Sequence, residues 1–85
     1  MESFDFVVQS PVGIHARPAM LLAREAKSYQ DKITIRKGSR VVNAKNIVSL
    51  LSLGAHKGDR VTFIVEGENE AYVARRLEQF CEVNL

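Results

Sequence analysis

Lys32-Ile33-Thr34-Ile35-Arg36-Lys37-Gly38-Ser39-Arg40-Val41-Val42-Asn43 is the stretch on which the fold turns. Ile33 and Ile35 alternate with Lys32, Thr34 and Arg36, the period of two that turns one strand face to a core and the other to water. Lys37-Gly38-Ser39 offers a tight turn, and Arg40-Val41-Val42-Asn43 returns as a second strand. The middle of the chain is therefore a β-hairpin.

Toward the N-terminus, Phe4, Phe6 and Val8 alternate with Asp5 and Val7, which reads as an earlier strand that Pro11 and Gly13 end. From His15 onward Ala19, Leu22, Ala23 and Ala26 recur at i, i+3, i+4 and i+7, the spacing of one buried helix stripe. Pro18 fits the first turn of that helix, where an N–H would find no intrahelical acceptor. On the other side of the hairpin, Asn46 is a good N-cap and Gly54 a good residue just past a helix end, so Ile47 to Leu53 reads as a helix of about two turns. Gly58-Asp59 precedes a further strand, Val61 to Val65, which Gly67 closes. Asn69-Glu70 then opens a last helix with Val73, Ala74, Leu77, Phe80 and Cys81 on one stripe. The order is βαββαβα, which predicts one α+β domain over residues 1–85 with its helices packed on one sheet face.

Composition narrows the class. Nearly half of the residues are apolar and a quarter charged, the profile of an ordinary globular domain. The longest apolar stretches are broken by Ser49 and Ser52 and fall far short of the roughly 20 residues that span a bilayer, so no membrane insertion is expected. Met1-Glu2-Ser3-Phe4-Asp5 has acids where a secretory signal has bases, and a cytoplasmic location is expected. Cys81 is the only cysteine, which excludes an internal disulfide, and its place on an apolar stripe reads as packing.

The net charge is +2, unevenly spread: Ala16 to Arg60 holds ten Lys or Arg against three Asp or Glu. A basic middle segment can steer an acidic partner or an anionic ligand. Tyr29 is the only aromatic residue between Ala16 and Arg60, so no stacking platform for nucleic acid interleaves with the bases and none is expected as a partner.

The chemistry concentrates in Pro11-Val12-Gly13-Ile14-His15-Ala16-Arg17-Pro18-Ala19. This places a histidine where a loop becomes a helix. The first N–H groups of a helix lack intrahelical acceptors and carry partial positive charge, a ready site for phosphate. A phosphorylated ring there would meet those amides and the Arg17 guanidinium through charge-assisted hydrogen bonds. The residues alone leave other readings open, since histidines at helix starts also serve as caps or surface groups. No second His, Cys or acid clusters beside His15, so no metal site is expected. His56, among Gly54, Lys57 and Gly58, reads as a solvated loop residue.

Gly13-Ile14-His15-Ala16-Arg17-Pro18-Ala19 closely resembles the active-site motif of the histidine-containing phosphocarrier (HPr) family of the bacterial sugar phosphotransferase system. Ala44-Lys45-Asn46-Ile47-Val48-Ser49-Leu50-Leu51-Ser52-Leu53-Gly54 resembles that family's second characteristic segment, in the mostly apolar form found in Gram-positive bacteria. The resemblance covers essentially the whole chain. It implies an open-faced β-sandwich of four antiparallel strands with three helices on one side. It implies that His15 receives a phosphoryl group through Nδ1 from phosphorylated enzyme I, whose own donor is phosphoenolpyruvate, and passes it to IIA proteins or domains. Arg17 carries over as the residue beside the phosphate. The protein is then a carrier rather than an enzyme, holds no cofactor, and is expected to be a monomer. The alternative is a regulatory paralogue that binds a transcription factor or enzyme and reports carbon or nitrogen status; the retained nucleophile favours transfer.

Two further readings bear on partners. Arg17, Met20, Arg24 and Lys27 share a helix stripe rotated away from the core stripe, giving a basic, partly apolar face. The short helix is expected to turn Leu50 and Leu53 inward and leave Ile47, Val48 and Leu51 outside, where the family docks its partners. Asn46 departs from the family: the resemblance implies a serine there in Gram-positive forms, phosphorylated by an ATP-dependent kinase, and asparagine has no hydroxyl to modify.

Overall fold

In the computed structural model, which describes every residue from Met1 to Leu85, the alternating segments form β1 (Glu2–Val7), β2 (Lys32–Lys37), β3 (Arg40–Asn43) and β4 (Arg60–Glu66). The helical segments form α1 (Ala16–Lys27), α2 (Ile47–Ser52) and α3 (Glu70–Asn84). The strands make one antiparallel sheet in the order β1-β4-β2-β3. β1 and β2 run parallel to each other, with β4 between them, a split βαβ arrangement. Phe63, in the middle of β4, pairs with Phe4 on one side and Ile35 on the other. Its ring lies flat against that of Phe4, centroids 5.0 Å apart.

One sheet face carries Ile33, Ile35, Val61, Phe63 and Val65, and onto it pack the buried stripes of the helices: Ala19, Leu22, Ala23 and Ala26 from α1, Leu50 from α2, and Val73, Leu77 and Cys81 from α3. The three helices thus lie on one face of a four-stranded sheet. Phe80, read as part of the α3 stripe, is only partly buried at the edge of this core. Cys81 is fully enclosed, and burial pushes its thiol well up from its ordinary value, as packing requires and reactivity does not. No helix is long and apolar enough to cross a membrane.

The topology gathers several loops at one end of the sheet. Val7, the last residue of β1, faces Arg60, the first of β4, and β2 also finishes at this end, with Arg36 opposite Thr62. The loop leaving β1, the loop entering β4 and the end of β2 are therefore neighbours. The C-terminal residue joins them: the amides of Gln9 and Ser10 both donate to the backbone oxygen of Leu85, at 2.7 and 2.8 Å.

Candidate functional site

His15 sits at that end as the N-cap of α1, with extended backbone (φ −116°, ψ −164°). Its carbonyl accepts the first intrahelical bond, from Ala19 at 2.9 Å, while its ring makes no cap hydrogen bond and stays exposed. The amides of Ala16 and Arg17 donate to no protein acceptor, and Pro18 has no N–H to give. No acidic residue lies in the first turn, so the positive end of the helix is not neutralised from within. Arg24 and Lys27, at the opposite end of α1, complement its dipole in the usual sense.

The residues before His15 hold it at this height. Gly13 closes a turn by donating to the Ser10 carbonyl at 3.0 Å, with Pro11 in the turn. Its φ of +71° is one that residues with a Cβ rarely adopt, and a Cβ there would stand 2.5 Å from the Ala55 oxygen. Ile14 buries its side chain in the core and donates its amide to that same oxygen at 3.0 Å. One residue anchored inside is followed by one presented outside.

Arg17 takes no part in any ion pair within the protein, nor do Arg24 and Lys27. Met20, between them on the outer stripe of α1, is 44 % exposed. α2 packs beside α1 and divides as its sequence predicts: Leu50 and Leu53 point inward at 0 % and 2 % exposure, whereas Ile47, Val48 and Leu51 stand at 37 %, 75 % and 42 %. The structure therefore brings His15, Arg17 and the basic stripe onto one helix and sets an apolar patch on its neighbour. None of the surface clefts reaches His15, so the ring is presented rather than enclosed.

Asn46 caps α2, its Oδ1 accepting the Ser49 amide at 3.0 Å. The Ser52 hydroxyl donates to the Ser49 carbonyl at 2.7 Å. His56 is largely exposed in the loop between α2 and β4. Its amide donates to Asp59 Oδ2 at 2.8 Å, and its Nδ1 lies 3.7 Å from the same oxygen. The His56 amide first, then the Lys37 ammonium, hold the Asp59 carboxyl below the usual carboxylate range. Sequence reasoning passed over Lys37, Ala55 and Asp59, because their links to the His15 loop join distant segments and leave no local pattern.

Comparison with known proteins places this geometry. Residues 2–83 match the family described as the PTS HPr component phosphorylation site. The phosphocarrier protein HPr of Mycoplasma genitalium is 36 % identical over 85 residues, covering 99 % of this chain and 97 % of that protein. The HPr-like protein Crh of Halalkalibacterium halodurans is 39 % identical over 75 residues, 88 % of this chain and 89 % of that one. The crystal structure of HPr from Thermoanaerobacter tengcongensis superposes with a TM-score of 0.93 at 31 % identity, covering 99 % of this chain and 94 % of that one. A presented histidine at an open helix start, on this sheet order and over nearly the full length, identifies the chain as a member of the HPr family, phosphocarrier proteins of the phosphotransferase system.

Proposed function

We propose that His15 is the phosphoryl acceptor, that the group arrives from phosphorylated enzyme I with phosphoenolpyruvate as its original source, and that it leaves for IIA proteins or domains in sugar uptake. The observation that carries this reading is the exposed His15 ring at the start of α1, beside two amides without protein acceptors and an unpaired Arg17. In the forward step the lone pair of Nδ1 attacks phosphorus while the bond to the donor atom breaks and its electron pair returns to the donor. The Ala16 and Arg17 amides and the Arg17 guanidinium stabilise the oxygens of the product. The reverse sequence, in an acceptor's site, regenerates the free ring.

A presented ring suits a carrier whose partners supply the rest of each reaction site. Arg17, Met20, Arg24 and Lys27 would meet an acidic, partly apolar partner surface, and Ile47, Val48 and Leu51 its apolar patch. One surface serving donor and acceptors in turn calls for small, rapidly dissociating interfaces steered by charge. The protein acts as a monomer in the cytoplasm on this reading. The likeness to Crh favours, as a second reading, a regulatory paralogue, which would bind a partner without needing a nucleophile.

The deciding experiment incubates the protein with phosphoenolpyruvate and enzyme I. One phosphoryl group that is lost in acid and survives in base, absent from a His15→Ala protein, is the expected result. Equal labelling of His15→Ala would refute it.

A further inference from the structure

Lys37, the last residue of β2, is distant in sequence from His15 and Arg17, yet it is joined to the loop that supports them. Its ammonium donates to the Gly54 carbonyl at 2.9 Å and lies 3.3 Å from Asp59 Oδ2. Gly54 and Asp59 are the two ends of the loop that leads from α2 to β4. That loop contains two glycines with positive φ, +69° at Gly54 and +90° at Gly58. Near Asp59 it is tied to the end of β1 by the Gly58 amide donating to the Val8 carbonyl at 2.8 Å and the Val8 amide donating to the Asp59 carbonyl at 2.9 Å, while at Gly54 the Lys37 ammonium is the side-chain donor that holds it. Ala55, buried inside it, supplies the carbonyl that receives the Ile14 amide at 3.0 Å. Ile14 is the residue before His15.

We propose that Lys37 is a positioning residue for phosphoryl transfer: by clamping both ends of the Gly54–Asp59 loop it fixes the Ala55 carbonyl, and through Ile14 the height and direction of His15. The inference rests on the reading of His15 as acceptor. The same ammonium sits just past the C-terminal end of α2, so one cation ties the end of the proposed docking helix to the support of the proposed acceptor. A pair with both side chains one-third exposed contributes little to global stability, so loss of the charge should be felt in the loop and not in the fold. Misplacement of a reacting group by a fraction of an ångström is enough to slow a transfer that depends on in-line approach.

Lys37→Met removes the charge and keeps most of the aliphatic length. Its expected signature is a Tm close to that of the parent, exchange of the Ile14 amide faster by about tenfold with the amides of β2 and β4 unchanged, and labelling of His15 by enzyme I slower by about three- to tenfold in kcat with KM retained. Lys37→Arg, which keeps a donor cation, should restore both. Asp59→Asn, which loosens the clamp from the other side, should shift exchange and labelling in the same direction and serves if Lys37→Met fails to fold. Parental Ile14 exchange in Lys37→Met overturns the proposal, whatever the labelling rate. If the unaltered protein takes up no label, the acceptor reading falls, while Ile14 exchange still decides the link from Lys37 to the loop.

Discussion

Gly13 stands against Ala55 so closely that no side chain can be inserted between them: a Cβ on Gly13 would lie 2.5 Å from the Ala55 oxygen and 2.9 Å from the His56 Cα, both backbone atoms. With φ at +71°, Gly13→Ala also carries an unfavourable backbone conformation. The expected cost is about 1–2 kcal/mol from the backbone, with the clash added. Thermal or denaturant unfolding measures it, and the Ile14 amide should lose its protection in the folded protein.

Arg17→Ala tests the proposed phosphate contact. Arg17 is exposed and makes no ion pair, so its removal should leave the unfolding free energy within the small range of surface substitutions, about ±0.5 kcal/mol. Phosphoryl exchange with enzyme I should slow in both directions. Unaltered rates would remove Arg17 from the site.

Leu50 and Leu51 are neighbours with opposite fates. Leu50→Ala empties a fully buried position and should cost about 2–5 kcal/mol. Leu51→Glu places a charge on a half-exposed position, so the domain should stay folded and lose transfer to or from its partners. Unfolding of Leu51→Glu would move that residue into the core and the docking patch elsewhere.

Asn46 caps α2 through its side-chain oxygen. Asn46→Ser should therefore retain stability, whereas Asn46→Ala should cost about 1 kcal/mol. A kinase that uses ATP to modify a serine at this cap finds no hydroxyl on the unaltered chain, and the Asn46→Ser protein should become its substrate. Incorporation mapped to Ser49 or Ser52 of the unaltered chain would count against this. The hydroxyl of Ser52 is already committed to the Ser49 carbonyl.

The Asp59 carboxyl titrates lower in the folded protein than in the unfolded chain, because the His56 amide and the Lys37 ammonium favour its charged form. A depressed folded value means that the unfolded state takes up its proton first. The stabilisation is present above the ordinary carboxylate value near pH 4 and is lost as pH falls through the folded value. Denaturant titrations between pH 5 and 2 should show a shallower acid loss in Asp59→Asn than in the parent.

The periodic features were legible in the sequence. Ile33 with Ile35 and the Ala19/Leu22/Ala23/Ala26 stripe follow from spacing, because neighbours along the chain decide which face is wet; in α2, where apolar residues exceed one face, the expected inward turn of Leu50 and Leu53 is met. His15 was legible as a residue at a helix start, and the role proposed for it rests on the motif around it. What could not be read is pairing at a distance: that β4 separates β1 from β2, that Leu85 receives the Gln9 and Ser10 amides, and that Lys37 grips Gly54 and Asp59. These depend on packing of the complete chain, and no short segment encodes them. Phe80 marks the opposite limit, a position whose spacing fits the α3 stripe while the edge of the core leaves it partly in water.

The place of β4 has a consequence for how the protein comes into being. β1 and β2 share no hydrogen bonds with each other and meet only through β4, which is made after both. A nascent chain that stops short of Arg60 can close the β2–β3 hairpin but has nothing to hold β1, and α1 has no finished sheet to lie on. Assembly must wait for the distant strand, so it should proceed as one late, cooperative event. The loop before His15, squeezed between the end of β1 and the approach to β4, takes shape only in that final step; a half-made chain carries His15 without a place to present it.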